Sequence, residues 1–410
     1  MATSRETVWE YHCVPDVRFG PNARGDFPAI ANTFGADSVL IITDPGLVEA
    51  GIVDQFQNAT NDAIDFTLFD QVEPDPHLSI FERAIVRAES VRPDMIVGLG
   101  GGSSMDVAKV TGAIPTKGTD LLEYISEPLG GGKPLPSAGL PTVCVPTTAG
   151  TGSETSPVAV VSLPDQNAKA GISDDEMMPD AAILDPELAT SLPAKPTAYS
   201  GTDALAHAIE AFVARSHDTY PSPETPTDRP NYGGKTPVTD MFARESIRGI
   251  AKHLRVAVHQ GSNLEARSGM ALASFQAAIA FTNAGLGAVH AMAMATGARH
   301  ETPHGRTIAA VLPEVIRFNA PVEPQRFIEI AELLGVDNPA PVDAASAIER
   351  LLDDLDVETG LASLGVTEED IDPLVEQTLQ LERLLRGNPR TVDEASMERL
   401  YREAITGASG

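Results

Sequence analysis

The sequence predicts two domains: an α/β domain built on a parallel sheet over residues 1–187, then an all-helical domain over residues 188–410. Three observations predict this. Short continuous apolar runs recur through the first half, with helical stretches between some of them. Beyond Pro186 the apolar pattern takes a helical period. A glycine-rich turn, Gly98-Leu99-Gly100-Gly101-Gly102-Ser103, stands directly behind one of the runs.

The runs cover residues 38–44, 94–98, 141–146 and 181–186. Unbroken apolar runs bounded by polar residues fit strands covered on both faces, as in a parallel sheet. Residues 80–91 carry a helical pattern between two of them, and such alternation is the mark of a doubly wound α/β domain. In the second half, Phe327, Ile330, Ala331 and Leu334 fall at i, i+3, i+4 and i+7, as do Ile348, Leu351, Leu352 and Leu355. That spacing puts each set on one helix face. The Pro-rich polar stretch 217–237 interrupts the helices as a loop, because helical signal resumes at once. No internal repeat is visible.

A chain of 410 residues holds two or three domains. Its 58 acidic residues outnumber 29 basic ones, of which only seven are lysine, for a formal charge of −29. Such a surface repels itself in dilute salt and is comfortable where screening acts over roughly 3 Å, as at 1 M. The composition therefore reads as adaptation to a salt-rich cytoplasm. It argues against nucleic acid, whose phosphates need a basic face. Cys13 and Cys144 are the only cysteines, which excludes a disulfide scaffold and fits a reducing cytosol. No basic-then-apolar leader and no run of about 18 apolar residues occur, so neither a signal peptide nor a membrane span is expected.

A strand, then glycines and Ser103, then a helix beginning near Ser104 is a phosphate-binding arrangement. Glycines let the backbone approach a pyrophosphate, and the helix N-terminus favours its charge. The spacing departs from the usual dinucleotide fingerprint, in which an acidic residue follows by about 20 residues. Asp44, at the end of an earlier run, is the candidate instead. A carboxylate there would bond an adenosine ribose hydroxyl and repel a 2′-phosphate, which favours NAD over NADP; a simple loop cap is the alternative. The turn Pro146-Thr147-Thr148-Ala149-Gly150-Thr151-Gly152-Ser153-Glu154 offers small residues and hydroxyls suited to phosphate and nicotinamide.

Downstream stand Asp203 and His207, four apart and so on one helix face. His290 lies in an apolar stretch and His304 in the turn Thr302-Pro303-His304-Gly305. Each alone has an ordinary explanation as a helix-face or core residue, and His300 rivals His304. Together, one carboxylate and three imidazoles suit Fe(II), Zn(II), Co(II) or Mn(II). A cation with an open coordination position would take a substrate oxygen and stabilise charge developing on it.

These motifs resemble the iron-containing (type III) alcohol dehydrogenase family over roughly residues 19–402. They are Gly-Gly-Gly-Ser-x-x-Asp-x-Ala-Lys at 100–109, Pro-Thr-Thr-Ala-Gly-Thr-Gly-Ser-Glu at 146–154, Asp-x-x-x-His at 203–207, Asn-x-Gly-Leu-Gly-x-x-His at 283–290 and Thr-Pro-His-Gly at 302–305. The resemblance implies a Rossmann-like N-terminal domain, a helical C-terminal domain and a site in the cleft between. It implies NAD(P)-linked dehydrogenation of an alcohol or hydroxy acid in a homodimer or larger assembly. It assigns the metal, Fe(II) in the family, to Asp203, His207, His290 and His304. It assigns cofactor contacts to Asp44, Gly101, Gly102, Ser103, Asp106, Thr147, Thr148, Thr151 and Lys169. A lyase of the dehydroquinate-synthase type shares the fold, but these motifs argue against it.

One position departs from the family. Many members carry a second histidine four residues after the third ligand, often assigned to proton transfer, and here that position is Met294. A water chain or a metal-bound hydroxide is left for that role. Residues 120–130 and 229–240 resemble the hydroxyacid–oxoacid transhydrogenase branch, which oxidises 4-hydroxybutyrate while reducing 2-oxoglutarate and recycles a bound cofactor. Arg229 is then a candidate for a substrate carboxylate, against the plainer reading of a solvated loop arginine.

The charge excess has a direct test. Thermal unfolding followed from dilute buffer into multimolar KCl should show the folded state failing at low salt and gaining stability with added salt. Full stability in dilute buffer would remove the halophile reading.

Overall fold

Aliphatic and β-branched residues build a six-stranded parallel sheet in a computed structural model that describes residues 8–60, 64–114, 119–137, 139–225 and 229–407. Its strands are β1 (Asp16–Phe19), β2 (Ser38–Ile42), β3 (Asp65–Phe69), β4 (Met95–Gly100), β5 (Thr142–Pro146) and, last in sequence, β8 (Ala181–Leu184). An antiparallel pair, β6 (Val158–Leu163) and β7 (Ala168–Ser173), lies between β5 and β8 in sequence. The helices among them are α1 (Phe27–Phe34), α2 (Pro45–Glu49), α3 (Ile52–Asn58), α4 (Leu78–Val91) and α5 (Gly102–Ala113).

The strand order is β1-β8-β5-β4-β2-β3. The four apolar runs of the sequence are thus the four interior strands. The edge strands β1 and β3 escaped that reading because their residues are only partly covered, and the β6–β7 pair was not among the runs either. Alternate residues face opposite layers. Val39, Ile41, Val97, Leu99, Val143 and Val145 pack with Phe27, Ile52 and Phe56 of α1 and α3, while Leu40, Ile42 and Ile96 pack with α4 and α5. The chain runs outward from β2 to β3, then returns to the other side of β2 as β4. That reversal between β2 and β4 is a topological switch point, where open α/β sheets bind ligands at the strands' carboxyl ends. Asp44 and the glycine turn follow those two strands.

Cα proximity separates this sheet unit, residues 13–192 with 261–271, from a helical unit comprising described residues 8–12, 193–260 and 272–407. The chain's helices continue as α6 (Ala194–Val213), α7 (Pro237–His259), α8 (Leu264–Ala284), α9 (Ala288–His300), α10 (His304–Asn319), α11 (Pro324–Leu333), α12 (Asp343–Asp354), α13 (Ile371–Leu379), α14 (Glu382–Leu385) and α15 (Glu394–Thr406). Helix α6 is the axis of the helical unit, packed by α7 and α10, and buries almost every residue from Thr197 to Val213. Of the predicted apolar faces, Ile348, Leu351, Leu352 and Leu355 are buried on α12 and its cap, and Phe327, Ile330 and Ala331 on α11, while Leu334 is half-exposed. Of the loop 217–237, residues 226–228 lie outside the described residues. No single described helix is long and apolar enough to cross a membrane, and α8 and α9 reach that length together only across a 100° bend.

Gly98 sets how closely α5 lies on β4. A Cβ there would stand 2.8 Å from Ala108 Cβ and 2.9 Å from Met105 Cα, and the latter is backbone. Gly98→Ala should therefore force α5 off the strand. Overpacking of this kind costs about 1–3 kcal/mol, so the melting temperature should fall by several degrees; an unchanged melt would mean the helix has slack.

Candidate active site

In the helical unit, α6 presents Asp203, His207 and Glu210 at i, i+4 and i+7. Glycines bring the other elements close. A Cβ on Gly305 would stand 2.3 Å from Tyr199 O, so the N-terminus of α10, which begins at His304, can lie against α6 only without one. Gly285, at φ +95°, and Gly287 turn the chain from α8 into α9, which delivers His290. Asn283 anchors this turn: its amide accepts from His12 N at 2.7 Å and donates to His12 O at 2.9 Å.

Three imidazoles converge on one carboxylate oxygen. Asp203 Oδ1 lies 3.8 Å from His207 Nε2, 3.4 Å from His290 Nε2 and 3.5 Å from His304 Nε2. One donor atom each from Asp203, His207 and His290 lies within 4.8 Å of the others. The His207 ring stacks between neighbours, 4.3 Å from Phe281 and 4.5 Å from His290 by centroid. His304 lies tilted to His290, 5.6 Å away by centroid, and is the most exposed of the four. His300, the alternative, stands instead 3.6 Å from Asp370.

This donor set fits a divalent metal. Ligand atoms about 2.1 Å from a tetrahedral ion are about 3.4 Å apart, close to the spacings here. Asp203 Oδ1 and His290 Nε2 are buried with no hydrogen-bond partner, a costly state that a cation between them would relieve. Electrostatics agree. Burial alone would raise the Asp203 carboxyl, but the imidazoles of His207, His304 and His290 hold it well below the usual carboxylate range. Burial opposes a charge on His290, yet Glu210 and Asp203 push its imidazole up to about 9. The site is arranged to hold positive charge.

Glu210 received no role from the sequence. Its Oε2 stands 2.6 Å from His290 Nδ1, and its Oε1 accepts from Val289 N at 2.7 Å. The available signal was its place three residues after His207, on the same helix face. Met294 is half-buried on α9 and carries no titratable group. Arg229 is engaged by Glu10, at 2.8 Å.

In the sheet unit, the glycine turn and the second motif meet. A Cβ on Gly102 would stand 2.9 Å from Thr151 Cγ2, and one on Gly101 would touch Thr148 at 3.7 Å. Thr147 N donates to Gly100 O at 2.9 Å, tying the two loops. Gly101 caps α5, whose open N–H groups and dipole form an anion site, and Ser103 stands in its first turn. Thr148 Oγ1 is buried without a hydrogen-bond partner. Asp44 follows β2 and caps α2 by accepting from Leu47 N at 3.1 Å. Lys169 on β7 lies 2.7 Å from Asp75.

Asp106 is already committed inside the unit. It accepts from Ser153 Oγ at 2.5 Å and from Val160 N at 2.9 Å, and its Oδ1 lies 3.1 Å from Lys109 Nζ. Lys109, 1% exposed, donates to the carbonyls of Ser153, Ser156 and Val158. This buried pair pins the end of the second motif. Within that motif, burial pushes the Glu154 carboxyl up to about 7, with a backbone hydrogen bond and Lys109 opposing.

A raised carboxyl makes the folded state bind the extra proton. Its contribution is fully present below the unfolded value near 4.5 and is lost as pH rises through about 7. Denaturant melts should therefore show stability declining between these pH values by an amount that Glu154→Gln removes. An unchanged slope in the variant would reject the assignment.

Residues 15–186 match the model for iron-containing alcohol dehydrogenase, and residues 233–405 match the C-terminal model of the same family. The chain belongs to the iron-containing alcohol dehydrogenase family, a class of oxidoreductases. It is 33% identical to a mitochondrial hydroxyacid-oxoacid transhydrogenase of Xenopus tropicalis, over 98% of this chain and 92% of that protein. Among solved structures, a 1,3-propanediol oxidoreductase is 36% identical with a TM-score of 0.85, covering 97% of this chain and 100% of its own. A sulfoacetaldehyde reductase from Bifidobacterium kashiwanohense in complex with NAD+ is 30% identical with a TM-score of 0.85, covering 98% of this chain and 100% of its own.

Proposed function

We propose that the protein is a metal-dependent, NAD-linked alcohol dehydrogenase that uses Fe(II), the reaction being reversible hydride transfer between an alcohol and nicotinamide. The convergence of three imidazole nitrogens on the buried Asp203 oxygen carries this reading. A divalent ion at Asp203, His207, His290 and His304 supplies Lewis acidity toward a substrate oxygen, and the nicotinamide supplies the hydride acceptor. Asp203 contributes the one negative charge among the ligands. The α5 N-terminus, Gly101, Gly102 and Ser103 take the pyrophosphate, with Thr147, Thr148, Thr151 and Lys169 as further polar contacts. The free oxygen of Asp44 is suited to a ribose hydroxyl and repels a 2′-phosphate, which favours NAD over NADP. Asp106 serves the same site by holding the second loop.

The transhydrogenase reaction is the second reading. The likeness to the Xenopus enzyme over nearly the whole chain favours it, as do residues 120–130 and 229–240.

One assay separates them. The protein is loaded anaerobically with Fe(II) in multimolar KCl and given NAD, then NADP, with primary alcohols and 4-hydroxybutyrate. Absorbance at 340 nm should rise with NAD and at least one alcohol, and chelation should abolish the rise. Conversion of 4-hydroxybutyrate only after 2-oxoglutarate is added, without free NADH, would move the assignment to the transhydrogenase. No turnover in either format would reject both.

A further inference from the structure

We infer that Glu210 is the positioning residue of His290, setting which ring nitrogen faces the metal; the inference rests on the metal-site reading above. A carboxylate oxygen 2.6 Å from Nδ1 is an acceptor. With an ion bound it would keep the ring proton at Nδ1 and leave the lone pair on Nε2 for the metal, Nε2 being the atom 3.4 Å from Asp203 Oδ1. Carboxylate partners of this kind orient metal-binding histidines and raise their basicity.

The second oxygen of Glu210 acts on the backbone, accepting from Val289 N at 2.7 Å. Two donors thus meet two acceptor oxygens. An amide in this place would match one and set a donor against the other. Asn388 braces the same helix start. Its Oδ1 accepts from Ala288 N at 3.3 Å and Asn319 Nδ2 at 3.0 Å, while its Nδ2 donates to Asn319 Oδ1 at 2.9 Å and Arg390 O at 2.7 Å. A Cβ on Gly287 would stand 2.9 Å from both Glu210 Oε1 and Asn388 Oδ1, so the arrangement requires glycine between them. The ring, the first turn of α9 and α6 are therefore locked as one unit around Glu210.

The test is zinc affinity by competition with a chromophoric chelator, on wild-type protein and Glu210→Gln. Loss of a partner of this kind typically weakens metal binding about 10–100-fold, and the variant should fall in that range. The visible bands of the Co(II)-loaded variant should also shift, which a purely structural role would not cause. Affinity within twofold of wild type with unshifted bands would overturn the inference. A second measurement needs no variant. In Co(II)-loaded wild type, a metal-shifted ring N–H that persists in deuterated solvent and gives a dipolar cross-peak to the Val289 amide supports Glu210 as its acceptor. Its absence overturns the role even if Glu210→Gln does not fold. If wild type itself takes up no stoichiometric Zn(II) or Co(II), the metal-site reading is what fails.

Discussion

A carboxylate oxygen buried among three imidazoles is the constraint on which the helical unit depends. Asp203 is 3% exposed, and an ionised carboxylate taken out of water costs several kcal/mol unless positive charge or donors compensate. Nothing apolar in α6 can do so, so the compensation must come from His207, His290, His304 and whatever they hold. The close approaches follow from that requirement. Gly305 admits His304 against α6, and Gly287 admits the Glu210 carboxylate beside the start of α9. Larger residues at either position would push an imidazole off the Asp203 oxygen.

The sheet unit solves a similar problem with the opposite charge. Lys109 is buried on α5, paired with Asp106, and spends its donors on the carbonyls of Ser153, Ser156 and Val158. Those carbonyls run from the end of the second motif at Ser153, through Ser156, to Val158 at the start of β6. A buried cation with three backbone acceptors fixes a loop more firmly than packing of small residues, and a mobile loop would lose entropy again on each binding event. The first loop needs no such brace, because β4 and α5 hold both of its ends.

How much of this was legible follows from what each residue type reports. Interior strands were visible because burial on both faces demands unbroken apolar runs, as in 38–42 and 142–146. The edges β1 and β3 mix polar and apolar residues and left no such trace. The four metal-type residues were readable as chemistry, since an acid and three imidazoles in apolar settings have few other uses. Choosing His304 over His300 was not, because four residues in a turn decide which ring faces Asp203 and which faces Asp370. Glu210 stands three residues beyond the Asp-x-x-x-His motif and Lys109 closes the glycine-rich one, yet their partners lie 80 and 44 residues away. Only the fold supplies those pairings. Asp44 kept both of its readings, since a carboxylate that caps α2 with one oxygen has the other free.

Met294 bears on which of the two reactions suits the site. Oxidation of an alcohol by NAD gives up a hydride and a proton, and an ordinary dehydrogenase must pass that proton to solvent in every turnover. A histidine four residues after His290 would serve this purpose, and a thioether has no proton site. The transhydrogenase reaction has a different balance. The proton released when a hydroxy acid is oxidised is consumed when the oxo acid is reduced, so the two half-reactions together exchange none with bulk water. A site without a dedicated relay group is less of a handicap there. The same arithmetic applies to the hydride, which returns to carbon without free NADH.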